Sequence, residues 1–289
     1  MAASPGKHVD NHTDYADFDL LNIQIADGVA RAEISAPPIN VMTLPLFGEL
    51  MRFGGQVGED DRVRVVVLAS QDPDFFIAHF DVEAILGFPI DEPAERSPDN
   101  AFHKMCEMYR TMPKITLGQI EGRVGGGGSE LAQALDMRFG VRGRTIFNQM
   151  EVPIGILPGG GGTQRLPRLI GRGRALEMIL SGCDVDADTA ERWGLLNRAF
   201  DADAIAPFVD ALAKRIASFP PQALALAKEA VGAAELPLAE GLVEEAYLFE
   251  RLLRTEEAQT NMRRFLAEGG QTRAGELVIE ELAGTIARG

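Results

Sequence analysis

The stretch ITLGQIEGRVGGGGSELAQALD, Ile115 to Asp136, carries the reading of the fold. Ile115 to Ile120 is an apolar run of strand length, of the kind buried in a parallel sheet. Four glycines, Gly125 to Gly128, follow it. Glu130 then leads into Leu131 to Leu135, which begins a short helix. Strand, glycine turn and helix in succession are the repeating unit of an α/β protein. A second stretch, EVPIGILPGGGGT from Glu151 to Thr163, has the order reversed, with the glutamate first and the glycines after.

The same alternation extends outward. LLNIQI (20–25) and VARAEI (29–34) alternate as strands, and Asp27-Gly28 between them is a hairpin turn signal. SAPPIN, Ser35 to Asn40, is expected to be extended, because proline restricts its neighbour as well as itself. Leu44 to Val57 is an amphipathic helix and Val63 to Ala69 a buried strand. Asp72-Pro73-Asp74 opens a loop containing Phe75 to Val82. Asn100 to Thr111 is a helix and Met137 to Val141 a strand. Thr163 to Gly171, Arg174 to Leu180 and Asp188 to Leu195 are helices. From Pro221 helices dominate: Gln222 to Ala233, Leu238 to Leu253, Thr255 to Ala267 and Gly275 to Arg288. The fold class is α/β with a helical C-terminal region. We divide the chain into a flexible N-terminal tail (1–18), a core (19–215) and a helical region (216–289).

Composition excludes several function classes. With 289 residues, 46% of them hydrophobic, the chain can bury a large core. A net charge of −15 disfavours nucleic acid and anionic membrane surfaces. Cys106 and Cys183 form no C-x-x-C pair, which points to a reducing compartment and against structural zinc. The N-terminus lacks an apolar signal core, and no run approaches the roughly 18 apolar residues of a membrane span. A cytoplasmic protein is expected. His8 and His12 belong to the tail, with no metal role assigned.

The two glycine stretches fail the usual phosphate motifs. Neither has the Lys-Ser/Thr of a Walker loop, and G-x-G-x-x-G breaks at Glu130 and at Gln164. No G-x-S-x-G surrounds Ser129. On a purely structural reading the glycines mark turns. The first run also places bare amides at a helix N-terminus, a preformed spot for an anion or for a carbonyl gaining negative charge. Glu130 lies beside those amides, and Glu151 precedes an apolar VPIGILP. A carboxylate in apolar surroundings holds a proton closer to neutrality. Two such groups beside an amide pocket are the parts of acid–base chemistry at a carbonyl.

IEGRVGGGGSELA with Asp136 resembles the N-G-x-x-x-G-G-G-x-E-L-A-x-x-x-D segment of the enoyl-CoA hydratase/isomerase (crotonase) superfamily, with Glu121 in place of its Asn. EVPIGILPGGGGTQRLPRLIG (Glu151 to Gly171) resembles its P-E-x-x-x-G-x-x-P-G-x-G-G-T-Q-R-L-x-R-x-x-G, with Met150 in place of the first Pro. FIAHFDV (76–82) is similar to F-x-A-G-A-D-[IL], and WGLLN (193–197) to G-L-V-N. Ala36 to Asn40 stands where the family has P-K-A-L-N. The resemblance runs in order over about residues 20 to 260 and implies a β/α spiral core with a helical trimerisation region, a homotrimer or a hexamer of two trimers. It implies an acyl-CoA thioester substrate, with coenzyme A as part of the substrate and no separate cofactor or metal. By the matching positions, Phe80 N–H and Gly127 N–H form the oxyanion hole, and Glu130 and Glu151 are the acid–base carboxylates. Gly159 helps hold the reacting water, and Ala78 and Val82 line the adenine and pantetheine path. His79, Asp81, Gly126 and Pro158 complete the expected substrate-binding set.

Three departures matter. AHFD (78–81) replaces the small A-G-A-D and brings His79 and Phe80 to the site wall. Pro37-Pro38 replaces Lys-Ala and removes a basic contact to the CoA phosphates, leaving Arg31, Arg165, Arg168, Arg172 and Arg174 as candidate replacements. The ending from about Glu268 departs from the family. Three functions stay open: 2-enoyl-CoA hydration, favoured by two filled carboxylate positions; 3,2-enoyl-CoA isomerisation, which needs only the Glu151 position; and a non-catalytic protein that binds a partner or RNA. Fold membership alone does not choose among them.

Overall fold

The computed structural model describes residues 15–91, 93 and 95–286; His8 and His12 lie outside them. The chain opens with the expected hairpin, β1 (Leu21–Ala26) and β2 (Val29–Ile34), paired antiparallel. Its turn residues Asp27 and Gly28 both have positive φ, 54° and 76°. Ser35 to Asn40 is not extended. Residues 37–40 form a turn, with Asn40 N–H donating to Ala36 O and Asn40 at φ 50°. The buried Asn40 amide explains it. Its Oδ1 accepts from Ala36 N–H at 2.8 Å, and its Nδ2 donates to Ser70 Oγ at 2.8 Å and Phe75 O at 3.0 Å. A left-handed asparagine thereby ties this turn to the start of the segment that carries Phe80.

After α1 (Leu44–Glu59) come β3 (Val65–Ser70), β4 (Phe75–Ile77), α2 (Val82–Leu86) and α3 (Ala101–Thr111). Then follow β5 (Ile115–Ile120), β6 (Arg123–Gly125), α4 (Gly126–Ala134), β7 (Met137–Val141) and β8 (Ile146–Asn148). From β3 to β8, successive strands alternate between two sheets. One has the order β1-β2-β3-β5-β7 and ends in β10 (Arg198–Phe200); the other runs β4-β6-β8 and ends in β9 (Val185–Asp186). Apart from the hairpin and β8–β9, all pairs are parallel. Each turn of the chain contributes one strand to each sheet, so the core is a β/α spiral. The six-stranded sheet is buried on both faces. Val66 and Leu68 enter one core and Val65 and Val67 the other, which is why that run reads as continuously apolar.

Helices α5 (Gly162–Ile170) and α6 (Arg172–Ser181) break at Gly171, and α7 (Ala187–Trp193) precedes β10. Helix α8 (Ile205–Ala217), which the sequence reading left unassigned, covers the second face of the large sheet with Ile205, Val209 and Ala213. The C-terminal helices are α9 (Pro221–Gly232), α10 (Leu238–Leu253) and α11 (Glu256–Ala267). The expected helix over 275–288 is instead two short ones, α12 (Arg273–Glu276) and α13 (Ile279–Ile286). Tyr15 and Phe18, placed in the tail by sequence, pack on Phe53 of α1. Among the described residues no helix is long and apolar enough to cross a membrane.

Candidate active site

Helix α4 begins five residues earlier than the sequence suggests, because packing overrides the poor helix propensity of glycine. All nine of its residues are buried, and its first turn lies against the segment after β4. A Cβ on Gly128 would stand 2.6 Å from Ile77 Cβ. Gly126 has φ +46°, a conformation glycine adopts without cost, and this bends β6 into the helix. The glycines are therefore both turn and first helical turn.

The two expected oxyanion donors meet here. Gly127 N–H lies in the first turn of α4, where amides have no intrahelical acceptor. Phe80 bridges Met42, and that pairing uses its neighbours: Met42 N–H donates to His79 O at 2.8 Å and Asp81 N–H to Met42 O at 3.1 Å. The Phe80 amide points away from Met42. A Cβ on Gly127 would lie 3.1 Å from Phe80 Cβ, so the two residues are in direct apposition.

Glu130 and Glu151 are 3% and 7% exposed, both within a cavity of about 530 Å³. Glu130 Oε1 accepts from Gly160 N–H and Gly162 N–H, each at 2.8 Å. Burial pushes its carboxyl up to about 7; the two amides oppose that and the nearby Glu151 charge adds to it. Glu151 accepts from Gln149 Nε2 at both oxygens, 3.0 and 3.2 Å. Burial raises its carboxyl as well, against the Gln149 hydrogen bond and the His79 charge. Burial thus raises both carboxyls in the one cavity, and the Glu151 charge raises Glu130 further.

The Gly160 loop is pinned from α3. Arg165 donates to Gly160 O at 3.1 Å and pairs with Glu107 at 2.6 Å, and His103 Nε2 donates to Gly159 O at 2.8 Å. The apolar wall is aromatic. Phe47 stacks on Phe102 at 5.8 Å, and Phe80 meets both edge-on at 6.3 and 5.9 Å. Phe80 thus finds room by joining this cluster. His79 turns its Nδ1 to Phe80 O at 2.9 Å.

Of the residues expected from sequence, His79, Phe80, Val82, Gly126, Gly127, Glu130, Glu151 and Gly159 line the one cavity. Ala78 lines a second, of about 330 Å³, which shares His79 and Met150 with the first. Asp81 and Pro158 line neither. The Asp81 carboxylate accepts from Glu83 N–H at 2.9 Å and caps α2, and Pro158 is buried against Gly162. None of the five candidate arginines lines either of these two cavities. Arg31 is bound by Glu33, Asp210 and Gln119, Arg165 by Glu107, and Arg168 by Gln164 O, while Arg174 lies over Trp193. Arg123 lines the second cavity instead, paired with Asp184 at 2.7 Å. Sequence reasoning passed over Gln149, whose amide side chain carries no mark of facing Glu151. It also passed over the Gly160 and Gly162 amides, which no side chain announces.

Comparison with known proteins finds relatives in both sequence and fold. The family model described as "Enoyl-CoA hydratase/isomerase" matches residues 24–272. A "Probable enoyl-CoA hydratase" of Rhizobium meliloti is 41% identical over 254 residues, covering 87% of this chain and 96% of that one. A second from Mycobacterium leprae is 31% identical over 247 residues, covering 84% and 94%. Among solved structures, an enoyl-CoA hydratase from Bacillus anthracis superposes with a TM-score of 0.78 at 28% identity, covering 86% of this chain and 96% of its own.

Proposed function

The chain belongs to the enoyl-CoA hydratase/isomerase family, and on that premise we propose that it is a hydratase adding water across the double bond of a 2-trans-enoyl-CoA thioester. The observation that carries the reading is the pair of buried carboxyls, Glu130 and Glu151, in one cavity with the apposed Phe80 and Gly127 residues. The thioester oxygen accepts from the two amides, which stabilise the enolate-like charge by about 3 kcal/mol each. Glu130, with Oε1 held by two amides, takes the proton from water as its oxygen attacks the β-carbon. Glu151 supplies the proton at the α-carbon. The pantetheine arm passes His79 and Met150 into the second cavity, toward Ala78 and Arg123.

Isomerisation is the competing reading, because it moves a proton with one carboxyl and no water. Crotonyl-CoA and a 3-enoyl-CoA assayed side by side separate the two. Hydration of crotonyl-CoA at least about tenfold faster than isomerisation is expected, a margin of about 1.4 kcal/mol. Turnover of the 3-enoyl thioester alone would overturn the hydratase reading.

We further propose a trimer or a dimer of trimers, formed through the helical region. Val231, Leu238, Val243 and Phe249 of α9 and α10 are 64–79% exposed, an apolar face costly to leave in water. Light scattering should give a mass of three or six chains; a monomer would refute it.

A further inference from the structure

Behind Glu151 runs a line of buried side-chain amides that the proposed mechanism does not use. Gln149, fully buried, donates through Nε2 to Glu151, and its Oε1 accepts from Gln133 Nε2 at 3.1 Å. Gln133 Nε2 also donates to Ser129 Oγ at 3.0 Å. Ser129 and Gln133 are one helical turn apart on α4, so both reach the same neighbour. Gln133 Oε1 is buried and has no hydrogen-bond partner among the described residues. A buried carbonyl without a donor destabilises a fold and calls for an explanation. The other end of the same amide, which holds Gln149, supplies it.

A primary amide has a donor end and an acceptor end that differ little in shape. Gln149 can therefore face Glu151 with either. We propose that Gln133 is a positioning residue that acts through Gln149, fixing its amide so that the NH₂ group faces Glu151. The proposal rests on the hydratase reading for its kinetic consequence and on the hydrogen bonds alone for its geometry. In the flipped arrangement Gln149 Oε1 would accept the carboxyl proton of Glu151 and hold it away from the substrate α-carbon. It would also set the Gln149 NH₂ against the Gln133 NH₂, donor against donor. Gln133 opposes that state as long as its own NH₂ group faces Gln149 Oε1 and Ser129 Oγ. With Gln149 donating to both Glu151 oxygens, the Glu151 proton is directed elsewhere, into the cavity. The charged groups facing Glu151 are Glu130 of α4 and His79 from the segment after β4. Neither shares a described hydrogen bond with Gln133 or Gln149.

The test compares Gln133→Met, Gln149→Met and the double variant in the full-length protein. Two readouts are taken: the pH profile of crotonyl-CoA hydration, and the titration of the Glu151 carboxyl carbon by NMR without substrate. Q133M is expected to lower kcat roughly tenfold with KM within about twofold. It should move the alkaline limb and the Glu151 titration to higher pH, because the flipped Gln149 favours the protonated carboxyl. Added to Q149M, it should change neither, since residues acting in one line are not additive. A Glu151 titration unmoved by Q133M, or equal effects in both backgrounds, would overturn the proposal. The titration counts only folded molecules and needs no turnover. It therefore decides the role of Gln133 even if the unmutated protein hydrates nothing, which would refute the hydratase reading separately.

Discussion

Glu130→Gln and Glu151→Gln are each expected to lower kcat for hydration by roughly a thousandfold while leaving acyl-CoA binding within severalfold. The amides that bind the thioester oxygen are backbone groups and survive both changes. Glutamine also keeps the acceptor that Gly160 N–H and Gly162 N–H need at position 130. What each variant loses is the ability to take or give a proton. The unmutated pair should give a bell-shaped kcat/KM profile. One proton must be present on the acid and one absent from the base, so the acidic limb reports loss of the Glu130 proton, which burial moves up to about 7, and the alkaline limb reports loss of the Glu151 proton, which burial also raises. The same shift makes a stability prediction. The folded protein keeps the Glu130 proton to higher pH than the unfolded chain does. Glu130 therefore lowers stability progressively as pH rises from the ordinary carboxylate range to about 7. Glu130→Gln removes that penalty and should be more stable than the unmutated protein at pH 8, by about 3 kcal/mol, and within about 1 kcal/mol of it at pH 5. Urea unfolding at the two pH values measures it. Either single change leaving turnover within a fewfold would refute the two-carboxyl mechanism.

The contrast between legible and hidden parts follows from where side chains carry the information. Val65 to Ala69 is apolar throughout because both faces of its strand are covered, so its reading as a buried strand is secure. The strands of the smaller sheet, such as Arg123–Gly125, are two or three residues long and too short to show alternation. Glycine propensity argues against a helix at Gly126 to Gly128, yet a Cβ on Gly128 would collide with Ile77 and one on Gly127 would crowd Phe80, and tertiary packing decides. Glu130 and Glu151 are visible in the sequence because chemistry needs their carboxyls. Their burial, and the donors that restrain them, come from backbone amides and from Gln133 and Gln149. Nothing about an amide side chain or a peptide group marks it in advance as facing a carboxylate.

Gly160→Ala is expected to cost about a hundredfold in kcat, a larger effect than its single methyl group would have at most surface positions. A Cβ there would lie 2.5 Å from Phe102 Cδ1 and Cε1 and 2.6 Å from Glu130 Oε2. Phe102 cannot move aside easily, because Phe47 stacks on one side and Phe80 meets its edge. The loop cannot retreat either: Gly160 O is held by Arg165, which Glu107 holds in turn, and Gly159 O by His103. Gly160 N–H also donates to the carboxylate that the methyl would press. With ring and loop both fixed, the Glu130 carboxyl is the group that must shift, and with it the position of the attacking water. The loss should therefore appear in kcat more than in KM, since the thioester amides are untouched. Overpacking of a buried site also predicts a stability loss of about 1–3 kcal/mol, measurable by the same urea unfolding. Turnover within a fewfold of the unmutated protein would mean that Glu130 can be displaced without consequence, and water activation would then have to be assigned to Glu151 alone.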